Sequence, residues 1–104
     1  MISFVLGSSN LNAASASNSA MNVKSTRYTS YALGVVSNKP GYERYYGTVT
    51  VEVRSNAPKG TLTRTSSSAI GGSYVNGYPK AGYVTISARA QGAVAGYSIW
   101  TTWE

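Results

Sequence analysis

The residues best equipped for chemistry in this chain are aromatic and cationic, and they gather at corners between apolar runs. Gly41-Tyr42-Glu43-Arg44-Tyr45-Tyr46-Gly47 sets three rings and a guanidinium between two glycines. A flat Tyr ring can stack on a sugar or rest against a lipid headgroup, and a guanidinium can lie over a ring face. A second stretch, from Tyr74 to Tyr83, carries Tyr78-Pro79-Lys80, and Trp100 and Trp103 follow near the C-terminus. The candidate contacts to a ligand or a cell envelope are therefore Tyr42, Arg44, Tyr45, Tyr46, Tyr78, Lys80 and Trp103. In the competing reading these rings only cover the ends of a β-structure, with their hydroxyls in water.

Missing residue types narrow the chemistry further. The chain has 104 residues and lacks both His and Cys; its only carboxylate side chains are Glu43, Glu52 and Glu104. Without Cys there is no disulfide framework, no thiol nucleophile and no Cys-based zinc site. Without His there is no Ser-His-acid triad and no imidazole ligand. Three scattered glutamates make a poor calcium loop or glycosidase pair. Gly71-Gly72 is not followed by Lys-Ser or Lys-Thr and opens no helix, so it is not a phosphate loop. The sequence implies a non-enzymatic protein with no cofactor and no metal.

Nine Lys and Arg against three acids give a formal net charge of +6, which favours anionic partners. The cations stand singly, from Lys24 to Arg89, rather than in the block expected of a nucleic-acid arm. Anionic lipid or a wall polymer suits this spacing better than nucleic acid. No apolar run approaches the ~20 residues of a transmembrane helix. Residues 1–22 read as a partial export signal with a flexible tail. Ile2 to Leu6 is a short apolar stretch, and Ala14-Ser15-Ala16 fits a small-x-small cleavage site, but no Lys or Arg precedes the apolar stretch. The competing reading is an N-terminal strand followed by a polar linker. Secretion from a bacterium fits the first of these.

From residue 23 to 104 the apolar period is two, the strand period. Tyr31, Leu33 and Val35 share a face; so do Val49, Val51 and Val53, with Thr48, Thr50, Glu52 and Arg54 opposite. Val84, Ile86 and Ala88 form another such face, and Ala95, Tyr97 and Ile99 a last one. Lys39-Pro40-Gly41-Tyr42 has the type II turn arrangement, and Ala57-Pro58-Lys59-Gly60 favours type I. Asn76-Gly77 carries the strongest short hairpin signal, and Gln91-Gly92 separates the last two strands. Turns this short predict a meander of five to seven strands: an all-β fold, a small antiparallel β-sandwich with no helix of note. A domain of this size hides only about 60% of its unfolded-chain surface. Nine Tyr and two Trp are expected to supply the burial that disulfides cannot. Trp100 and Trp103 differ in strand parity, so one belongs to the core and the other outside unless a bulge intervenes. Edge strands offer a site for a homodimer.

The order of these segments resembles the lactococcin family of cysteine-free, β-sandwich bacteriocins. The likeness runs through Tyr28-Thr29-Ser30-Tyr31, Gly47-Thr48-Val49-Thr50-Val51, Ala81-Gly82-Tyr83-Val84 to Ala88, and Tyr97-Ser98-Ile99-Trp100. The family's early Gly/Trp motif and its His residues are missing. The resemblance implies a secreted antibacterial protein acting on the envelope of related bacteria. The expected function is a secreted, basic, bacteriocin-like protein that binds an anionic envelope component. The alternatives are a polysaccharide- or surface-binding module, or a structural protein assembling through edge strands.

Overall fold

The computed structural model describes residues 12–104. Among these residues eight strands make two antiparallel sheets. The strands are β1 (Asn12–Ser17), β2 (Met21–Arg27), β3 (Ala32–Asn38), β4 (Tyr46–Ser55), β5 (Leu62–Ile70), β6 (Gly72–Gly77), β7 (Thr85–Val94) and β8 (Tyr97–Trp100). The first sheet has the order β1-β2-β3-β6 and the second β5-β4-β7-β8. The only helical element among the described residues is one 3-10 turn, Pro58–Gly60. The fold is thus an all-β sandwich, with eight strands rather than five to seven. It is not a simple meander, because the chain changes sheets after β3, β5 and β6.

The core lies between the sheets and is built from small side chains. Val49, Val51 and Val53 of β4 face Met21 and Val23 of β2 and Ala32 and Val36 of β3, with Ala88, Ala90 and Val94 of β7 beside them. The expected contribution of aromatic rings to this core is not met: among the described residues Tyr42 is the one ring that packs against its margin. The reason is the close approach of the sheets. A Cβ on Gly34 would stand 2.2 Å from Cγ2 of Val51, and one on Gly77 would stand 2.8 Å from Cγ1 of the same residue. From the other side, a Cβ on Gly92 would meet Cγ2 of Val23 at 2.4 Å and Sδ of Met21 at 2.7 Å. Valines of each sheet fill notches that glycines of the other leave open, and no ring fits in so thin a layer.

These notches correct several sequence-based expectations. Gly77 ends β6 and Gly92 lies inside β7, so neither Asn76-Gly77 nor Gln91-Gly92 is a hairpin turn. The last hairpin turns instead at Ala95-Gly96, both at positive φ (48° and 85°). In β3 the inner face is Ala32, Gly34 and Val36, not Tyr31, Leu33 and Val35, because Gly34 is the residue Val51 packs on. Val84 and Ile86 are exposed, whereas Ala88 is buried as expected. The register of β4 on β7 shifts between Arg54 and Ser55, which face Ser87 and Thr85. Ile86 is the extra residue of this bulge, and a bulge reverses strand parity on its far side.

Other corners match the reading more closely. Gly41 has φ 95°, and the Tyr42 N–H donates to the Lys39 carbonyl at 2.9 Å, as a type II turn requires. The 57–60 turn closes with the Gly60 N–H on the Ala57 carbonyl at 2.9 Å, but Lys59 has φ 64°, which a type I turn does not allow. The chain crosses from β5 to β6 at Gly71-Gly72; Gly72 has φ 136°, and a Cβ there would meet the Val36 carbonyl oxygen at 2.4 Å. The segment read as a flexible tail is strand from Asn12 onward: Ala14, Ser15 and Ala16 pair with Ser25, Lys24 and Val23. A cut after Ala16 would therefore remove most of β1 from the first sheet. The apolar stretch Ile2 to Leu6 lies outside the described residues.

Two substitutions test this packing. Gly34→Ala is expected to destabilise the fold by about 1–3 kcal/mol, as overpacking does, and Val51→Ala in the same chain should restore part of the loss. Ala95→Asn should stabilise by about 0.5–1 kcal/mol, since Asn tolerates the left-handed region better than Ala. Urea unfolding midpoints measure both.

Candidate functional site

The outer face of the second sheet gathers the largest set of charged and aromatic side chains. Strand alternation in β4 turns Thr48, Thr50, Glu52 and Arg54 away from the valine core. Register then places Glu52 between Arg64 on β5 and Arg89 on β7. Arg89 Nε donates to Glu52 Oε1 at 2.8 Å; Arg64 Nε donates to Oε2 at 2.9 Å, and Arg64 Nη2 also donates to Oε2. Glu52 is only 1% exposed although it points outward. Burial pushes its carboxyl up, but hydrogen bonds from Arg89 and Arg64 and the charges of both outweigh that and hold it below the usual carboxylate range.

The tryptophans reach this face through a second bulge, at the C-terminus. Trp100 stands opposite Gln91 on β7. Beyond it the Thr101 N–H donates to the Ala90 carbonyl at 2.8 Å, and Glu104 exchanges both backbone hydrogen bonds with Ala88 at 3.0 Å. Three steps along this segment thus match two along β7. Thr101 Oγ1 takes the Ala90 N–H at 3.0 Å, keeping the irregularity satisfied. The extra residue cancels the parity difference between Trp100 and Trp103, and both rings come to the outer face, half-buried. Neither belongs to the core.

There they interleave with arginines. The Arg89 guanidinium carbon lies 4.0 Å from the Trp100 ring centre and 4.7 Å from that of Trp103; the Arg54 carbon lies 4.7 Å from the Trp103 ring centre. Arg89 is tied to Glu52, whereas the exposed Arg54 guanidinium donates no hydrogen bond to any described residue. Alongside lie two hydroxyl pairs, Thr48 Oγ1 with Ser68 Oγ and Thr50 Oγ1 with Ser66 Oγ, each at 2.8 Å. Such a face offers flat apolar rings, hydroxyls and a free planar cation, which can take a carboxylate or phosphate through two parallel hydrogen bonds.

The residues singled out from the sequence fall in three places. Tyr42, Arg44 and Tyr45 occupy the β3–β4 loop at one end of the sandwich, and Tyr46 opens β4 beside them. Tyr42 packs on Tyr45 and edge-on against Tyr97, each with ring centres 6.0 Å apart. Arg44 lies over Tyr45 at 5.1 Å. Asn38 Nδ2 donates to the carbonyls of Tyr42 and Tyr45, both at 2.9 Å. A hydrogen bond with Tyr97 raises the Tyr42 hydroxyl above its usual pKa. Tyr46 remains exposed. Tyr78 and Lys80 sit at the opposite end. Trp103 reaches the second sheet's outer face beside Arg54 and Arg89, and Tyr46, with the parity of Thr48, lies at the far end of that face. The sequence reading missed Arg54, Arg89 and Trp100 as partners of Trp103. Alternation in β4 exposes Arg54, but nothing local indicates that β4 lies beside β7.

Comparison of the chain with protein-family models, curated proteins and solved structures returned no match. Among the described residues no group of His, Cys, Asp and Glu could hold a metal ion, and no helix is long and apolar enough to cross a membrane.

Because the Glu52 carboxyl is lowered in the folded state, it contributes stability above the unfolded carboxylate pKa of about 4.3, and this is lost as pH falls through the folded value. Glu52→Gln is expected to cost about 1–3 kcal/mol at neutral pH and to flatten the decline of stability below about pH 4. Unfolding midpoints measured from neutral to acid pH check both parts.

Proposed function

We propose that this chain is a secreted, basic, non-enzymatic antibacterial protein that binds an anionic polymer of the bacterial cell envelope on the outer face of its second sheet. The observation that carries the reading is the series Arg54, Trp103, Arg89, Trp100, in which one arginine is fixed by Glu52 and the other keeps its donors free. The rings would receive the apolar face of a sugar, and Arg54 its carboxylate or phosphate. The net charge of +6 draws an anionic polymer toward the protein at low salt. The β3–β4 loop, whose rings are largely taken up by one another, has a lesser part in this reading. The likeness to lactococcins points to the same compartment and target class. A second reading, a glycan-binding module without antibacterial action, is favoured by the Thr and Ser hydroxyl rows beside the rings.

Sedimentation with bacterial cell walls, before and after removal of their phosphate polymers, tests the binding. Wild-type protein should bind intact walls and release with salt, and Arg54→Ala and Trp103→Ala, each shown by circular dichroism to be folded at the assay temperature, should each weaken binding roughly ten-fold. Equal binding by the variants, or none by the wild type, overturns the proposal. Growth inhibition of related bacteria, lost in the same variants, separates the antibacterial reading from the glycan module.

A further inference from the structure

The end of the sandwich opposite the β3–β4 loop is built from segments 28–31, 55–62 and 78–86, and hydrogen bonds hold them as one piece. The Asn56 N–H donates to the Val84 carbonyl at 3.0 Å, and the Val84 N–H to Asn56 Oδ1 at 2.9 Å. The Lys80 N–H donates to Ser55 Oγ at 2.7 Å, and the Thr85 N–H to the Thr29 carbonyl at 3.0 Å. Tyr28 stacks on Tyr31 at 4.7 Å, and Tyr31 lies 6.3 Å from Tyr78. The surface is therefore ordered before anything binds to it.

Its apolar side chains nevertheless stand in water. Leu62 is 46% exposed, Tyr78 57%, Val84 40% and Ile86 49%. For Ile86 the cause is the bulge in β7, which leaves this one side chain outside the alternation that buries Ala88 and Ala90. Lys59 and Lys80 stand on two of the connecting segments, and no acidic residue occurs in any of the three. The other end also exposes rings, Tyr46 at 63% and Tyr97 at 45%, but there Glu43 lies beside Arg44. Apolar groups, a tyrosine and uncompensated lysines on one rigid tip make up the composition that settles at a membrane–water boundary.

We infer that this end docks on a lipid bilayer with anionic headgroups, Tyr78, Val84 and Ile86 entering the interfacial layer while Lys59 and Lys80 meet the phosphates. Charge decides the occupant. Segments that carry Lys59 and Lys80 and no acid are complementary to an anionic lipid surface, and lysine acts there as a point charge that needs no fixed geometry. Glu104, at their border, lies beside Arg27, whose Nε donates to its carbonyl at 2.8 Å. The inference is independent of polymer binding on the second sheet's face, because it uses none of Arg54, Arg89, Trp100 or Trp103.

Sedimentation of the full chain with vesicles of phosphatidylcholine alone, or mixed with phosphatidylglycerol, tests it. Binding is expected to the mixed vesicles only. Lys59→Gln with Lys80→Gln should weaken it on the order of twenty-fold, and Lys59→Arg with Lys80→Arg should retain it. Val84→Ser with Ile86→Ser should weaken it at high salt as well, because the apolar contribution is not screened. Arg54→Ala with Trp103→Ala should leave vesicle binding unchanged while abolishing wall binding. Circular dichroism and thermal midpoints establish that each variant is folded. Absence of wild-type partitioning, loss confined to the Arg54 and Trp103 variant, or indifference to both tip variants overturns the inference. A tip variant that instead dissociates a dimer does so too, since the occupant would then be a second copy of the chain.

Discussion

Val51 packs on Gly34 and Gly77 while Val23 packs on Gly92, and the separation of the two sheets results from these contacts. A β-sandwich normally fills the space between its sheets with large branched and aromatic side chains. Here the inner residues are mostly valine and alanine, and three glycines mark where opposing methyl groups seat. Each such contact removes little apolar area, so the stability of the fold depends on many of them fitting at once. The arrangement also explains why glycine occurs in the middle of strands, where it would otherwise only weaken them.

A thin core leaves the rings elsewhere. Six of the nine tyrosines lie at the two ends, in the groups Tyr42–Tyr45–Tyr97 and Tyr28–Tyr31–Tyr78; Tyr74 is exposed on β6, and the tryptophans lie on an outer face. The described rings, kept out of the interior apart from Tyr42 at its margin, are presented to solvent, to one another or to a ligand. The surface of this small protein is accordingly richer in chemistry than its interior. Its two bulges act in the same direction: one exposes Ile86, and the other brings Trp103 beside Trp100.

Glu52 organises the charged face. It is the only carboxylate on β4, and it neutralises part of the repulsion between Arg64 and Arg89 while orienting Arg89 between the two tryptophans. A buried carboxylate without these partners would be costly, so the cluster forms as a unit or not at all. Arg54 lies outside that unit. Its charge is left available because the carboxylate it might have shared is already held by two other arginines.

Period-two alternation in β4, the Lys39-Pro40-Gly41-Tyr42 turn and the lack of any helical stripe were enough to establish an antiparallel all-β chain, because strand parity and proline or glycine torsions act between near neighbours. The basic charge and the missing His, Cys and Asp are likewise properties of composition alone. The functions of Gly34, Gly77 and Gly92 were not legible in this way: a glycine in a sequence reads as a turn until the methyl group approaching it from another sheet is known. The same holds for the inner face of β3 and for the Arg54–Trp103–Arg89–Trp100 series. Glu52 and Arg89 are 37 residues apart, and their meeting requires β4 and β7 to pair. That pairing is chosen by how well valines and glycines of two sheets fit together, which is a property of the assembled sandwich and of no single strand.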